Sequence, residues 1–303
     1  MSDFTIFDVK FPREAKKRVI VNTDAKNECD DQFAIVQAIL TPSFELCGVT
    51  PAHFGDKKSK TSLQDSVDET NLLLKLMNLE GKVRIEPGAK GPMPDETTPM
   101  DSPGARLIIE EALKDDDRPL YVAFYGPLTE MAAAILLEPK INTSKIVVVW
   151  IGGGAWPNGG REYNLSNDIH AANVVMKSNL TVWQVPRNTY RTMGVTYAEM
   201  IEKVYPHGEL GKYLVEQVFE YNSRMNPDFE FRSLGDSPCI GIIMDPEVGT
   251  WSWRPAPLFD EQMHYLHPGQ YRPIRVYDNV NTRFVHEDLW AKLAQFHRRG
   301  NKL

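Results

Sequence analysis

Residues 22–31, Asn22-Thr23-Asp24-Ala25-Lys26-Asn27-Glu28-Cys29-Asp30-Asp31, bring Asp24, Asp30 and Asp31 within one short loop. Carboxylates gathered this closely repel one another unless a cation or a hydrogen-bonding ligand compensates. Loop oxygens suit a hard ion such as Ca²⁺, which takes several oxygen ligands and tolerates irregular geometry. No cluster of histidine and cysteine competes for a zinc reading. A helix cap explains one aspartate, its oxygen accepting from the first free N–H groups, but leaves the others unexplained. Phosphoryl transfer through an aspartyl nucleophile is the rival chemistry for acids at a strand end. It expects an acid at the first position of a D-x-D pair, where this chain has Asn22.

The loop has to be positioned by its neighbours. Arg18-Val19-Ile20-Val21 before it is a β-branched run, and apolar residues at helical spacing follow over 32–40, so it joins a strand to a helix. The unit recurs, with strands predicted at 44–49, 120–124 and 146–151 and helices at about 60–79, 128–137 and 169–176. This pattern predicts an α/β fold, an open and mostly parallel sheet with helices on both faces. In such sheets ligands bind beyond the carboxyl ends of the strands. The second half is less regular, with helices expected over 197–205, 210–224 and 238–244, a strand over 271–277 and a closing helix over 283–298. No repeat, low-complexity stretch or linker divides the chain, and a single domain over residues 1–303 is expected.

Hydrophobic residues make up 42% and charged residues 25%, ordinary globular usage. The net charge of −7 argues against nucleic acid or an anionic membrane as partner, since both need Lys and Arg to meet phosphates. No apolar run reaches membrane-spanning length and the N-terminus lacks a signal-peptide layout, so a cytoplasmic protein is expected. Cys29, Cys47 and Cys239 are widely spaced and read as free thiols.

The acidic loop resembles the opening signature, D-x-D-P-G-x-D-D, of the calcium-dependent nucleoside hydrolases of the inosine-uridine preferring type. It has one extra residue, Asn22 for the first Asp, and no Pro-Gly. Tyr125-Gly126-Pro127-Leu128-Thr129 is similar to the family's T-G-P-L-T segment. Ile151-Gly152-Gly153-Gly154, then Glu162-Tyr163-Asn164, then Asp168-Ile169-His170-Ala171-Ala172 follow its M-G-G-G, E-F-N and D-P-E-A-A series in order and spacing. Asp236-Ser237-Pro238 resembles its H-D-P segment. The pieces span Arg18 to Pro246.

The resemblance implies a nucleoside hydrolase-like fold, hydrolysis of a ribonucleoside to ribose and free base, and a homodimer or homotetramer. It implies Asp24, Asp31, the main-chain carbonyl of Tyr125 and Asp236 as Ca²⁺ ligands, with Asp24 also the general base for an attacking water. Asp30, Asn158, Glu162 and Asn164 are implied as ribose contacts. On the residues alone, Asp236 before Ser-Pro reads equally as a helix start. Glu162 and Asn164, two apart, share one side of an extended segment or are plain surface residues. Gly152-Gly153-Gly154 fits neither G-x-G-x-x-G nor the P-loop pattern and is expected to lie close beneath the sugar.

The departures fall on the leaving-group side. Gly235 stands where the family carries a histidine that protonates the base, and no histidine lies between His53 and His170. Three readings stay open: proton donation by His53, His264, His267 or Tyr221; stacking on Trp156, Trp251 or Trp253, or a leaving group that needs little help; and a non-catalytic, calcium-dependent binder of nucleoside or ribose.

Overall fold

The computed structural model describes residues 4–303. Its main sheet has seven strands: β1 (Lys17–Thr23), β2 (Phe44–Pro51), β3 (Leu120–Phe124), β4 (Ile146–Ile151), β5 (Thr181–Val185), β6 (Gly249–Pro255) and β7 (Pro273–Val280). They lie in the order β2-β1-β3-β4-β5-β7-β6, all neighbours parallel except β6, which runs antiparallel to β7. The expected open, mostly parallel α/β sheet is what forms.

Eleven helices flank it among the described residues: α1 (Asp31–Ile39), α2 (Ser62–Leu76), α3 (Pro103–Ala112), α4 (Thr129–Leu137), α5 (Tyr163–Asn167), α6 (Ile169–Lys177), α7 (Arg187–Tyr190), α8 (Tyr197–Lys203), α9 (Gly208–Met225), α10 (Pro238–Met244) and α11 (Thr282–Arg298). Successive strand residues alternate between two apolar layers. Val19, Val21, Val147 and Val149 pack with α1, α2 and α8 to α11, whereas Ile20, Ile146, Val148 and Trp150 pack with α3, α4 and α6. Both faces are therefore covered, which is why β1 and β4 read as continuous apolar runs.

Five of these elements went unpredicted, among them the short helices α5 and α7. β5 is five residues long and buries Gln184, so its polar residue masks the pattern. β6 lies at the sheet edge with Trp251 and Trp253 half-buried to exposed. α3 carried a readable start, Ser102-Pro103, whose serine hydroxyl oxygen accepts from the Ala105 N–H at 3.1 Å.

The register aligns Asn22 with Phe124, Phe124 with Trp150, and Trp150 with Gln184. The parallel strands thus end together, and the residues just past them, Asp24, Tyr125, Gly152 and Arg187, emerge along one edge. No helix among the described residues is long and apolar enough to cross a membrane.

Candidate active site

Asp24, Asp30 and Asp31 are buried at that edge, and Asp236 joins them from the turn before α10. Oxygens of Asp30, Asp31 and Asp236 lie within 4.8 Å of one another; Asp24 lines the same pocket from the end of β1, outside that trio. None is diverted into capping. Asp30 occupies the N-cap of α1 but its side chain makes no cap bond there, and Ser237, not Asp236, is the N-cap of α10. The helix-start reading of Asp236 therefore does not describe it.

Burial raises all four carboxyl pKa values, and mutual repulsion adds to it. Asp30 is pushed up to about 6 by burial, held back by the Arg232 guanidinium and by the Gly235 N–H. Arg232 lies 3.9 Å from its Oδ1, and the Gly235 N–H donates to its Oδ2 at 2.9 Å. Asp31 is pushed up to about 8 by burial and the charge of Asp30, with the Thr23 hydroxyl donating to it as partial relief. Asp24 and Asp236 rise well above the carboxylate range, through burial first and the neighbouring aspartates second. What the cluster lacks is positive charge. A divalent cation among these oxygens would allow the carboxyls to ionise. No His or Cys lines the pocket, so the donor set is oxygen and fits a hard ion.

Asn164 ties the ends of β3 and β4 together. Its Nδ2 donates to the carbonyls of Tyr125 at 2.6 Å and Ile151 at 2.9 Å, so both amide protons are engaged and Oδ1 remains for a ligand. The Tyr125 ring is 1% exposed in the core, and its hydroxyl has no partner among the described residues. Glu162 is more committed than expected. Its Oε1 accepts from the Asn164 N–H and the Tyr190 hydroxyl, and its Oε2 from the Gly153 and Leu165 N–H groups, all at 2.8–3.1 Å. These four bonds fill a carboxylate's acceptor capacity and make Glu162 the cap of α5.

Asn158 does not line the pocket. Its segment folds back so that Ala155 bridges Gly159 and Gly159 bridges His264, leaving Asn158 exposed with its carbonyl accepting from the Tyr265 N–H at 3.0 Å. That fold requires glycine at 152 and 154. A Cβ at Gly152 would meet Trp150 at 2.2 Å, and one at Gly154 would meet the Gly159 backbone at 2.5 Å.

The candidate acids and stacking partners lie elsewhere. His53 is buried against Thr129 at 3.1 Å, its pKa pushed down to about 4 by burial. His264 pairs with Asp260, and His267 bonds the Pro157 carbonyl. Tyr221 stacks beneath the Arg232 guanidinium at 4.9 Å. Trp156 donates to Gln184, while Trp251 and Trp253 flank Arg275 at the far sheet edge.

Asn27, Tyr163, Tyr190 and Arg232 do line the cleft and were missed. Tyr190 explains the glycine at 235: a Cβ there would meet its ring at 3.0 Å and the Asp30 carboxylate at 3.2 Å. A side chain at 235 would press on that ring. Asn22 is directed away from the cleft, donating to Thr50 at 3.0 Å and to Glu130 at 2.9 Å. An aspartate there would face the Glu130 carboxyl with no proton to offer.

Residues 19–282 match the family model described as inosine-uridine preferring nucleoside hydrolase. The pyrimidine-specific ribonucleoside hydrolase RihA of Salmonella typhimurium is 23% identical over 256 residues, covering 77% of this chain and 81% of that protein. The purine-preferring ribonucleoside hydrolase from Gardnerella vaginalis has a TM-score of 0.76 at 16% identity, covering 93% of this chain and 100% of that one. The inosine-uridine preferring nucleoside hydrolase from Bacillus anthracis gives 0.69 at 18%, covering 92% and 100%. The structural likenesses carry the fold, and the family match over most of the sequence carries the membership. This chain belongs to the inosine-uridine preferring nucleoside hydrolase family, enzymes that hydrolyse N-glycosyl compounds.

Proposed function

We propose that the chain hydrolyses the N-glycosidic bond of a ribonucleoside to ribose and free base, with Ca²⁺ in the acidic pocket and Asp24 as general base. The observation that supports this reading is the shortage of positive charge around Asp24, Asp31 and Asp236, in a pocket whose donors are all oxygen. These three carboxylates and the Tyr125 carbonyl are the metal ligands in this reading. Held by these residues, Ca²⁺ would supply a positive field that acidifies an attacking water.

Asp24 takes the proton from that water. Attack comes on the face of the ring opposite the departing base, as in inverting glycoside cleavage. Asp30 is oriented by the Gly235 N–H and Arg232 and accepts from a ribose hydroxyl. Asn164 accepts through Oδ1. Glu162 joins them only by exchanging one of its four protein bonds for a sugar hydroxyl. A pocket of buried acceptors discriminates against analogues that leave them unpaired, so ribose is preferred over 2′-deoxyribose.

One observation favours a second reading, a calcium-dependent binder with little turnover: no histidine lines the pocket, and Tyr190 occupies the space before Gly235. Incubating the chain with a panel of ribonucleosides, with and without a calcium chelator, separates the two through the reducing sugar released. Chelator-sensitive release that is lost in Asp24→Ala supports hydrolysis, whereas tight nucleoside binding with no release supports the binder.

A further inference from the structure

Beside the acidic floor the cleft widens into a groove of about 440 Å³, and Asp30, Glu162, Tyr163 and Tyr190 border both spaces. In the hydrolase reading the sugar lies on the floor and the base projects into the groove. There Phe229 and Phe231, ring-stacked at 5.3 Å, offer an aromatic surface. The bond to be broken therefore crosses the border between floor and groove, and a group that assists the departing base has to stand there. The donors named from sequence, His53, His264, His267 and Tyr221, line neither space. Arg232 lines the groove but is paired with Glu28 and Asp30.

Two hydroxyls stand at the border. That of Tyr163 donates to the Phe54 main-chain carbonyl at 3.2 Å, a residue that lines neither space. That of Tyr190 donates to Glu162 Oε1 at 3.0 Å. Among the bonds Glu162 accepts it is the one from a side chain, the others coming from the Gly153, Asn164 and Leu165 N–H groups. Main-chain N–H groups are fixed by the backbone, whereas a phenolic O–H redirects its proton by rotating about the C–O bond. The Tyr190 bond is thus the one that yields when a ribose hydroxyl donates to Oε1. The ring itself is anchored: the Tyr190 N–H donates to the Pro186 carbonyl at 3.1 Å, its carbonyl accepts from the Ser233 hydroxyl at 2.9 Å, and Gly235 makes room for it. Burial and the Glu162 carboxylate raise the Tyr190 pKa, so the phenol keeps its proton.

We propose that Tyr190 is the leaving-group donor: a ribose hydroxyl replaces it on Glu162, and the freed phenolic O–H turns to the departing base and stabilises the charge developing there. A hydrogen bond to an ionised acceptor in a partly buried site is among the stronger ones. The inference rests on the hydrolase reading. Water adds to the anomeric carbon as the bond to the base nitrogen breaks, and one water proton passes to Asp24. The base departs with the bonding pair as an anion, accepts the Tyr190 hydrogen bond and then takes a proton from solvent, while Tyr190 keeps its own. The products are ribose and free base.

The test compares Tyr190→Phe with the parent chain, Ca²⁺ present, on inosine and uridine, whose bases leave poorly, and on p-nitrophenyl β-D-ribofuranoside, whose nitrophenolate leaves unaided. Removing one such donor should lower kcat for both nucleosides about 10²-fold. For the nitrophenyl riboside kcat should change less than about threefold, and KM for the nucleosides should not rise, because a Glu162 oxygen is left open to the sugar. Ribose titrated by calorimetry should bind the variant at least as tightly as the parent, with circular dichroism confirming the fold. Equal losses on all three substrates, a raised KM, weaker ribose binding or no loss of kcat each mean that the hydroxyl only props Glu162, and overturn the donor role while leaving the hydrolase reading intact. If the parent hydrolyses the nitrophenyl riboside but neither nucleoside, the hydrolase chemistry stands and the donor role is overturned. If it hydrolyses none of the three, both fall.

Discussion

At the floor of the cleft Asp24, Asp30, Asp31 and Asp236 are buried and short of positive charge, while at the rim Arg161, Arg187 and Arg191 are exposed and short of negative charge. The two regions meet the same difficulty differently. Buried carboxyls respond to crowding by holding protons, because interactions between charges are strong where water is excluded. Exposed guanidiniums stay charged and rely on water and salt for screening. The floor stands on the ends of β1, β3 and β4 with its side chains tied to main-chain groups. The rim stands on the four-residue helix α7 and the loop around Arg161. In the proposed reading a bound cation relieves the floor, whereas the rim is left to solvent.

The sharpest way to break this contrast is at Asp24. Asp24→Asn should lower kcat by about 10²–10⁴-fold, the usual contribution of a general base, against little change in kcat for Arg191→Ala at the exposed rim. Equal losses in reducing-sugar assays would mean that floor and rim do not divide the work in this way. Removing Ca²⁺ with a chelator should abolish turnover and lower the thermal midpoint. Calcium at about 100 times its Kd should restore about 2.7 kcal/mol of stability, read by scanning calorimetry.

The pH response should belong to the floor alone. Asp31, a ligand in the proposed reading, is pushed up to about 8 by burial and the neighbouring Asp30, so a proton occupies its oxygens below that value. Calcium affinity measured by calorimetry should therefore fall as pH drops from about 8 to about 6. The sign reverses for the calcium-free chain. Its folded floor carboxyls keep protons that an unfolded chain releases near about pH 4, so their contribution to stability is greatest at low pH and is lost as pH rises toward about 8. The smallest effect is expected from Gly235→Ala. Its Cβ would press on Tyr190 at 3.0 Å and Asp30 at 3.2 Å, at a cost of about 1 kcal/mol and a few-fold in kcat/KM.

The floor was largely legible because its residues follow strand ends. A β-branched run that stops at Asn22-Thr23-Asp24 announces an acidic strand terminus, and the glycine-proline turn after Tyr125 announces another. Glu162 was legible as a pocket residue but not as a cap, since capping depends on which N–H groups the chain brings round to it. Asn158 was misplaced because the path of residues 152–160 is set by a bridge to His264 more than a hundred residues later. The rim gave no local signal, since Arg161, Arg187 and Arg191 are ordinary surface residues in sequence.

What the chain determined by itself was the alternation of buried strands and helices and the acids placed just past the strands. Apolar periodicity and turn chemistry act between near neighbours and can be read from a string. Only the tertiary structure decided that Asp236 reaches Asp30 and Asp31, that Tyr190 lies against Gly235, and that three arginines share one concavity with no ion pair among the described residues. Those are contacts between distant segments, selected by how α7, α10 and the sheet edge pack together, and no local rule encodes them.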